Sequence, residues 1–315
     1  MPDFASSVIL HNYPQSPVAE KIRITLGIKG LEWHSVEIPR LPPKPMLTKL
    51  TGGYRRTPVL QIGSDIYCDS LCIVSELESR FPSPSLYPGK NGGLAWCLSR
   101  WTDGAFFDLV VKVVLGSAND QLPADFAADR GRLYFGRDWA EGLEQANADL
   151  PHLVAQLRGA FSALEGHLSQ GRNFLLGKKP AVLDAQLYYM VWFMRERWNR
   201  GPEFLGQFEN LSKWETRIRE IGHGRMMEMS AQSAIDVASA SEPLALNPTT
   251  DKHEPQGLNV GESVTVSPDV DGGEQPVEGR LVYMDVNRIT VLRTDPEAGN
   301  LHIHFPRSGY KVRQH

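Results

Sequence analysis

Residues 57–70 read TPVLQIGSDIYCDS. The run after Pro58 and the run ending at Cys68 have the apolar and β-branched composition of strands, and the Gly-Ser-Asp turn between them predicts a β-hairpin. Asp69 and Ser70 then stand directly before a segment with apolar residues at helical spacing, which predicts a helix that begins at this pair. The stretch is therefore expected to form strand, turn, strand and helix in immediate succession.

The segment upstream of this hairpin predicts a parallel crossover. Residues 7–10 have the composition of a buried strand, and residues 32–38 predict a second one. Between them, Ser16 is a favourable N-cap for a helix whose first residue is Pro17. The resulting order, β-α-β followed by a hairpin and a helix, is that of a thioredoxin-like α/β domain, which we place at residues 1–84.

Three further segments follow, each with its own composition. Residues 91–229 show helical periodicity throughout and predict an all-α bundle. Residues 230–256 are rich in Ala, Ser, Pro, Thr and Asn and are expected to form a linker. Residues 257–315 contain five short β-type runs separated by turn sequences, which predicts a small all-β, barrel-like domain. The linker composition suggests independent units, so removing this last domain is expected to leave the rest folded.

The bulk composition excludes several classes of protein. A net charge of −4 over 315 residues gives no electrostatic reason to expect a nucleic-acid partner or an anionic membrane. No apolar run approaches the roughly 20 residues of a membrane-spanning helix, and residues 1–4 lack the pattern of a signal peptide. Three cysteines are few and odd in number, which favours a reducing compartment. A cytoplasmic protein is expected.

Four motifs together resemble the serine-type cytosolic glutathione transferases. They are Ser16–Arg23 (SPVAEKIR), which is similar to the active-site turn; Thr57–Leu60 (TPVL), similar to the cis-proline strand; Asp69-Ser70, similar to the acidic-Ser pair; and Leu176–Asp184 (LGKKPAVLD), similar to a motif of the helical domain. The resemblance covers residues 7–221 and implies a homodimer with glutathione as co-substrate. It does not extend to residues 257–315.

The resemblance gives Ser16 the central chemical role. The glutathione thiol has a reference pKa near 8.5 and reacts as the thiolate. A helix N-terminus and a donating hydroxyl stabilise such an anion, so Ser16 is the predicted catalytic residue. Tyr13 is the alternative donor, because tyrosine-type members of the family place a phenol just after the first strand. A serine at position 16 also argues against thiol-disulfide exchange, since it cannot form a mixed disulfide.

Pro58 implies a backbone contact with glutathione. In the family the proline follows a cis bond, and a neighbouring residue pairs with the cysteinyl backbone of the ligand in the manner of an added strand. That contact maps to Thr57 or Val59, of which Val59 is our prediction.

The remaining glutathione-binding candidates are charged or lie at a helix N-terminus. Ser70 and the N–H groups that follow it can hold the γ-glutamyl carboxylate, and Asp69 can accept from the α-amino group. Arg56, Arg55 and, in the preceding loop, Lys44 are candidates for the glycine carboxylate. Helix capping and solvation explain these residues equally well on sequence alone.

Aromatic residues in the first helix of the bundle are candidates for a second-substrate pocket. Trp101, Asp103 and Phe107 are expected on one face, which predicts an apolar site for a small electrophile. Asp184 is assigned a structural role. The Ser or Thr that would complete its capping box is replaced by Ala181, which removes a cap worth about 1 kcal/mol.

The expected function is glutathione transfer to an electrophilic carbon. The alternatives are a glutathione-binding scaffold that uses residues 257–315 for interaction, and glutathione-dependent isomerase, dehalogenase or peroxidase chemistry. His302 and His304 alternate along one predicted strand, but no further ligand is evident. They are expected on a solvated face, and no metal is predicted.

Overall fold

The structure is a computed structural model that describes residues 6–118, 122–136, 138–270 and 272–314, with the side chain of Lys90 left out. The expectation for residues 1–4 therefore lies outside the described residues. The chain divides into two compact units. We call them the sheet unit (residues up to 22, 31–79 and from 225 onward) and the helical unit (residues 23–30 and 80–224).

The first part of the sheet unit has the predicted thioredoxin-like order. Strand β1 is parallel to β2 and antiparallel to β3, and β3 is antiparallel to β4. One short helix was not predicted, because the loop around it is rich in proline; Pro45 is accommodated at its first position and Gly52 ends it with φ 72°. The elements are β1 (Ile9–Asn12), α1 (Pro17–Ile28), β2 (Glu32–Glu37), α2 (Pro45–Thr51), β3 (Val59–Ile62), β4 (Asp65–Cys68) and α3 (Ser70–Arg80).

The helical unit confirms the predicted all-α bundle, but its predicted end at residue 229 is wrong, because Arg225–Glu228 form a strand of the sheet unit. Its central helix, α9, is buried along most of its length, and α5 contributes a run of buried valines. A 3₁₀ turn lies at Pro88–Lys90 and a π-helical turn at Thr102–Phe106. The helices are α4 (Gly92–Trp101), α5 (Phe107–Ser117), α6 (Ala124–Phe135), α7 (Trp139–Ala148), α8 (Leu150–Leu168), α9 (Val182–Arg197), α10 (Gly201–Leu205) and α11 (Glu209–Ile221).

The C-terminal strands extend the thioredoxin-like sheet. Within the described residues one sheet runs in the order β11-β7-β8-β9-β10-β4-β3-β1-β2-β5, with β6 beside β8. Strand β10 is parallel to β4, and β5 is parallel to β2. The C-terminal elements are β5 (Arg225–Glu228), α12 (Ala231–Ser239), β6 (Thr249–Thr250), β7 (Ser263–Pro268), β8 (Val277–Met284), β9 (Arg288–Asp295), β10 (Gly299–Pro306) and β11 (Tyr310–Gln314).

The five predicted C-terminal strands are present, but they do not form a separate body. Strands β10 and β11 are joined by a three-residue connection, yet they lie at opposite ends of the run β11-β7-β8-β9-β10, so this run curls as a small barrel does. Its apolar face merges with the first strands. One buried cluster contains Ile9, Val59 and Ile66 together with Leu281 and Ile303. The expectation of an independent domain at 257–315 is therefore corrected to a shared sheet and a shared core.

The segment predicted as a linker, 230–256, contains a docked helix. Ser230 caps α12 by accepting the Ser233 N–H at 3.0 Å. Ala234 and Ile235 are buried in the core of the sheet unit, and the carbonyl of Ala234 accepts from the buried Gln61 side chain at 2.8 Å. Small residues such as Ala234 and Ala238, which suggested a flexible linker, instead form the face of α12 that packs against the sheet.

The prediction that His302 and His304 lie on a solvent-exposed face of their strand is also wrong. Both side chains lie on β10 next to β4, and their residues are 9% and 0% exposed. The pairing of β10 with β4, which no local pattern indicates, covers this face.

None of the described helices combines the length and the apolar character that crossing a membrane requires.

Candidate active site

The register of three adjacent strands brings the sequence motifs to one edge of the sheet. His11 of β1 lies opposite Val59 of β3, and Val59 lies opposite Cys68 of β4. The chain therefore leaves β1, enters β3 and leaves β4 at the same edge. Neighbouring strands are about 4.8 Å apart, so the turns that follow β1 and β4 and precede β3 are close together. Helices α1 and α3 both begin at this edge.

Ser16 lies at the N-terminus of α1. Its Oγ accepts the N–H of Ala19 at 3.2 Å, and its own N–H donates to the carbonyl of Tyr13 at 3.1 Å. The hydroxyl thus caps the helix, and an accepting hydroxyl keeps its own O–H for donation. Capping and thiol activation, which were alternatives on sequence, are compatible in this geometry. Ser16 is 2% exposed and Tyr13 is 8% exposed.

The peptide bond between Thr57 and Pro58 is cis, as the resemblance implies. Val59 is fully buried at the start of β3, with strands on both sides. An added strand cannot pair there, so the structure favours the alternative, Thr57, which lies outside β3 and is partly exposed. Lys44 is buried beside this turn, and its Nζ donates to the Arg55 carbonyl and to Thr57 Oγ1, both at 3.0 Å.

Asp69 and Ser70 open α3, as predicted. Asp69 has φ 75°, and its Oδ1 accepts the Leu71 N–H at 2.8 Å. Its Oδ2 accepts from the hydroxyl of Tyr310 at 3.1 Å, and the same hydroxyl lies 3.2 Å from that of Tyr54. Burial and then the charge of Asp69 raise the pKa of both phenols well above 10, so both stay protonated. A carboxylate has room for further donors after these two bonds.

Arg56 has a partner other than the predicted one. Its Nε donates to Glu274 at 2.5 Å and its Nη2 donates to the Val270 carbonyl at 2.5 Å. Arg55 likewise donates to the carbonyl of Gly272. The guanidinium groups are used to hold the connection between β7 and β8, so the structure does not support Arg56 as the ligand of a glycine carboxylate.

The pocket candidates in the helical unit do not share a face. The π-helical turn contains Gly104 with φ −115° and ψ −111°, which changes the helical register between Trp101 and Phe107. Trp101 is 41% exposed and stacks on Phe106 at 4.7 Å, whereas Phe107 is buried against Tyr189 at 5.7 Å. Of the two candidates, Trp101 is the one that is accessible.

Asp184 has the structural role that was predicted, and more partners than a cap requires. Its Oδ1 accepts from the Leu175 N–H and the Trp214 indole, and its Oδ2 accepts from the Ala181 N–H at 2.8 Å. This is the acidic half of a capping box, present although Ala181 has no hydroxyl to supply the other half. Burial raises the pKa of Asp184 to about 6, against these three donors.

The cysteines near this edge are poor nucleophiles. Burial raises the pKa of Cys72 to about 12 and holds that of Cys68 well above 9. A buried thiol at neutral pH is inert. Ser16 is therefore a better candidate for the catalytic residue than Cys68 or Cys72.

Sequence reasoning missed three residues that contact the site: Tyr54, Glu274 and Tyr310. Glu274 and Tyr310 lie more than 200 residues after Arg56 and Asp69, the residues that they contact, in the segment assigned to a separate domain. No local pattern carried this information, since it depends on the pairing of β10 with β4.

Comparisons with known proteins agree with the fold and with the motifs. Residues 10–85 match the glutathione S-transferase N-terminal domain, and residues 125–217 match the glutathione S-transferase C-terminal domain. No curated protein matches the chain significantly.

Three similar solved structures differ in how much of this chain their alignments cover. A GST-like protein from Pseudomonas syringae is 34% identical, with a TM-score of 0.81, and the alignment covers 98% of this chain and 100% of that one, which includes the C-terminal strands. A glutathione S-transferase of Ceriporiopsis subvermispora in complex with glutathione is 19% identical, with a TM-score of 0.55, over 68% of this chain and 97% of that one. A beta-etherase from Sphingobium sp. is 17% identical, with a TM-score of 0.53, over 68% and 98%. The chain belongs to the glutathione S-transferase family.

Proposed function

We propose that the protein binds glutathione at the sheet edge where β1, β3 and β4 meet, and that it activates the thiol for attack on a small electrophile. The observation that carries this proposal is the register His11–Val59–Cys68, which gathers the Ser16 turn, the cis-proline turn and the start of α3. Membership of the family supports the choice of ligand, as does the glutathione bound to the Ceriporiopsis relative.

Thiolate formation is assigned to Ser16 and the first turn of α1. The Ser16 hydroxyl donates to the sulfur while its oxygen keeps the cap on α1. Helix N-terminal N–H groups add a favourable field for an anion. Lowering the thiol pKa by one to two units requires roughly 1.4–2.7 kcal/mol, which a hydrogen bond and a helix dipole together supply. The thiolate then forms the bond to the electrophilic carbon as the leaving group departs.

The tripeptide is held by backbone and helix groups. Thr57 offers its backbone to the cysteinyl unit, and the N-terminus of α3 with Ser70 accepts the γ-glutamyl carboxylate. Asp69 accepts from the α-amino group while it retains the Tyr310 hydroxyl. We also propose that the electrophile is a small molecule, that the protein forms a homodimer and that it is located in the cytoplasm.

The test is an ultraviolet difference spectrum of bound glutathione, titrated over pH in wild type and Ser16→Ala. We expect thiolate at neutral pH in wild type and a thiol pKa higher by one to two units in the variant. Ser16→Thr, which keeps the hydroxyl, is expected to retain thiolate. Ser75→Ala, an exposed serine on α3, controls for the substitution itself.

The outcomes separate binding from activation. Thiolate that persists in Ser16→Ala would transfer the role to Tyr13 and the helix N–H groups. Glutathione that binds without forming thiolate in wild type would contradict the activation step. Turnover of model electrophiles, measured on the same samples, then reports whether the bound thiolate is used.

A further inference from the structure

A carboxylate and two imidazoles converge at the seam between β4 and β10. Asp65 is the first residue of β4. In the parallel pairing of β4 with β10, it lies opposite His302. His304 projects from the same face of β10, two residues on. Its Nε2 lies 2.8 Å from Asp65 Oδ1, and His302 Nδ1 lies 3.6 Å from the same oxygen. One ligand atom from each of the three residues lies within 4.8 Å of the other two.

These separations are close to those of a tetrahedral metal site. Zinc binds imidazole nitrogen and carboxylate oxygen at about 2.0–2.2 Å, which puts neighbouring ligand atoms about 3.3 Å apart. The two distances from Asp65 Oδ1, 2.8 and 3.6 Å, lie on either side of this value. The remaining separation, between the two imidazole nitrogens, is at most 4.8 Å.

Two of the three residues are already held by further contacts. Thr290 Oγ1 lies 2.9 Å from His304 Nδ1, the nitrogen that would face away from a metal. Asp65 Oδ2 accepts the Leu244 N–H at 2.9 Å, which leaves Oδ1 for an ion. Metal-binding histidines and carboxylates in proteins almost always have such outer partners, which fix their orientation.

His302 distinguishes a metal site from a set of ordinary hydrogen bonds. The pair of His304 with Asp65 is satisfied without an ion. His302 Nδ1, in contrast, is shielded from solvent and has no hydrogen-bond partner among the residues that the structure describes. At 3.6 Å from Asp65 it is beyond hydrogen-bonding distance. Buried polar atoms in proteins almost always have a hydrogen-bonding or metal partner. A cation between His302 Nδ1, His304 Nε2 and Asp65 Oδ1 would supply that partner.

A cavity that His302 helps to line lies next to the three residues. It has a volume of about 400 Å³ and lies between the segment 242–248 and strands β8, β9 and β10. His302 is part of its lining, as is Glu242. Water from this cavity can complete the coordination.

We propose that Asp65, His302 and His304 bind a divalent transition metal ion of the zinc type, and that the ion joins β10 to β4. Two imidazoles and one carboxylate favour such ions over Mg²⁺, which prefers oxygen ligands. Because the ligands lie on strands more than 230 residues apart in sequence, the ion fastens the C-terminal strands to the thioredoxin-like sheet.

The experiment measures Zn²⁺ binding to tag-free, full-length protein that has been stripped with a chelator. We expect one Zn²⁺ per chain by calorimetric titration and a rise in the melting temperature on adding Zn²⁺ but not Mg²⁺. Co²⁺ in place of Zn²⁺ is expected to give the intense visible bands of four-coordinate geometry. His302→Ala, a change at the partly accessible edge, is expected to lose at least about 100-fold in affinity, since loss of even an outer partner costs 10–100-fold.

Matched variants separate this site from incidental binding. His253→Ala and Cys97→Ser remove exposed potential ligands elsewhere and are expected to bind as wild type does. Thr290→Val, which removes only the partner of His304, is expected to weaken binding about 10–100-fold. The proposal is overturned if wild type takes up no stoichiometric Zn²⁺, or if His302→Ala binds it as tightly as wild type.

Discussion

His11 illustrates how burial controls a titratable side chain next to the candidate site. It is 1% exposed on β1, and its Nε2 donates to Gln61 Oε1 at 2.8 Å. Burial disfavours the imidazolium and lowers the pKa of His11 to about 4, although the bond to Gln61 opposes the shift. His11 is therefore neutral in the folded protein at pH 7, and it supports the strand without placing a charge near the Ser16 turn.

The pKa of His11 predicts an acid limb in the stability of the protein. The unfolded state, with a pKa near 6.5, binds the proton before the folded state does, so the free energy of unfolding falls as pH decreases from about 6.5 to 4. The slope contributed by His11 is at most about 1.4 kcal/mol per pH unit. Urea unfolding across this range is expected to show a shallower limb in His11→Gln, which retains a donor for Gln61. The exposed His253→Gln should leave the limb unchanged, and an identical limb in His11→Gln would contradict the assignment.

At the level of single residues, sequence succeeded where a role depends on near neighbours. The cap at Ser16 and the start of α3 at the Asp69-Ser70 pair are set by a few adjacent residues. The cis bond before Pro58 was implied by the resemblance to the family. The partners of Arg56 and Asp69 are Glu274 and Tyr310, and no local pattern could have identified them. The choice between Thr57 and Val59 likewise required the strand pairing on both sides of β3.

Helix α12 shows the same limit at the level of an element. Its segment is rich in alanine and serine, a composition shared by flexible linkers and by helices that pack closely. Ala234 and Ala238 are fully buried, so small side chains here permit close contact with the sheet. Its nine residues would be marginal as an isolated helix, and packing supplies the missing stability. Composition alone cannot distinguish these two cases.

We predict that Ile235→Ala destabilises the sheet unit by about 2–5 kcal/mol, because it leaves a cavity in a packed core. Ile235 is 1% exposed. Gln232→Ala, an exposed position on the same helix, is expected to change the free energy of unfolding by less than about 0.5 kcal/mol. Urea unfolding of the three proteins is the measurement. Equal stability of Ile235→Ala and wild type would mean that α12 is not docked in solution and would restore the linker interpretation.

At the level of the whole molecule, the added strands change the edges of the thioredoxin-like sheet. In the order β4-β3-β1-β2 the outer strands are β4 and β2, and exposed edges of this kind promote unwanted pairing. Here β10 covers β4 and β5 covers β2. The alignment with the GST-like protein from Pseudomonas syringae covers 98% of this chain and so includes these added strands, whereas the alignments with the Sphingobium and Ceriporiopsis proteins cover 68%. The sequence predicted five strands but not where they pair, because register between distant segments is set by the assembled core.

Because the N-terminal and C-terminal strands share one sheet and one core, we predict that a chain ending at residue 256 does not form a stably folded sheet unit. Removal of β7–β11 leaves the edge of β4 open and takes Leu281, Ile303 and Phe305 out of the common core. We expect loss of amide-exchange protection in β1 and β3, or an insoluble product. Ile303→Ala tests the same contact in the full chain, with an expected loss of about 2–5 kcal/mol, against less than about 0.5 kcal/mol for Val286→Ala, which is 69% exposed. If the shortened chain kept full protection in β1 and β3 and unfolded at the same urea concentration, the C-terminal strands would be an independent domain after all. In that case their contacts with Asp69 and Arg56 would not be needed to hold the candidate site.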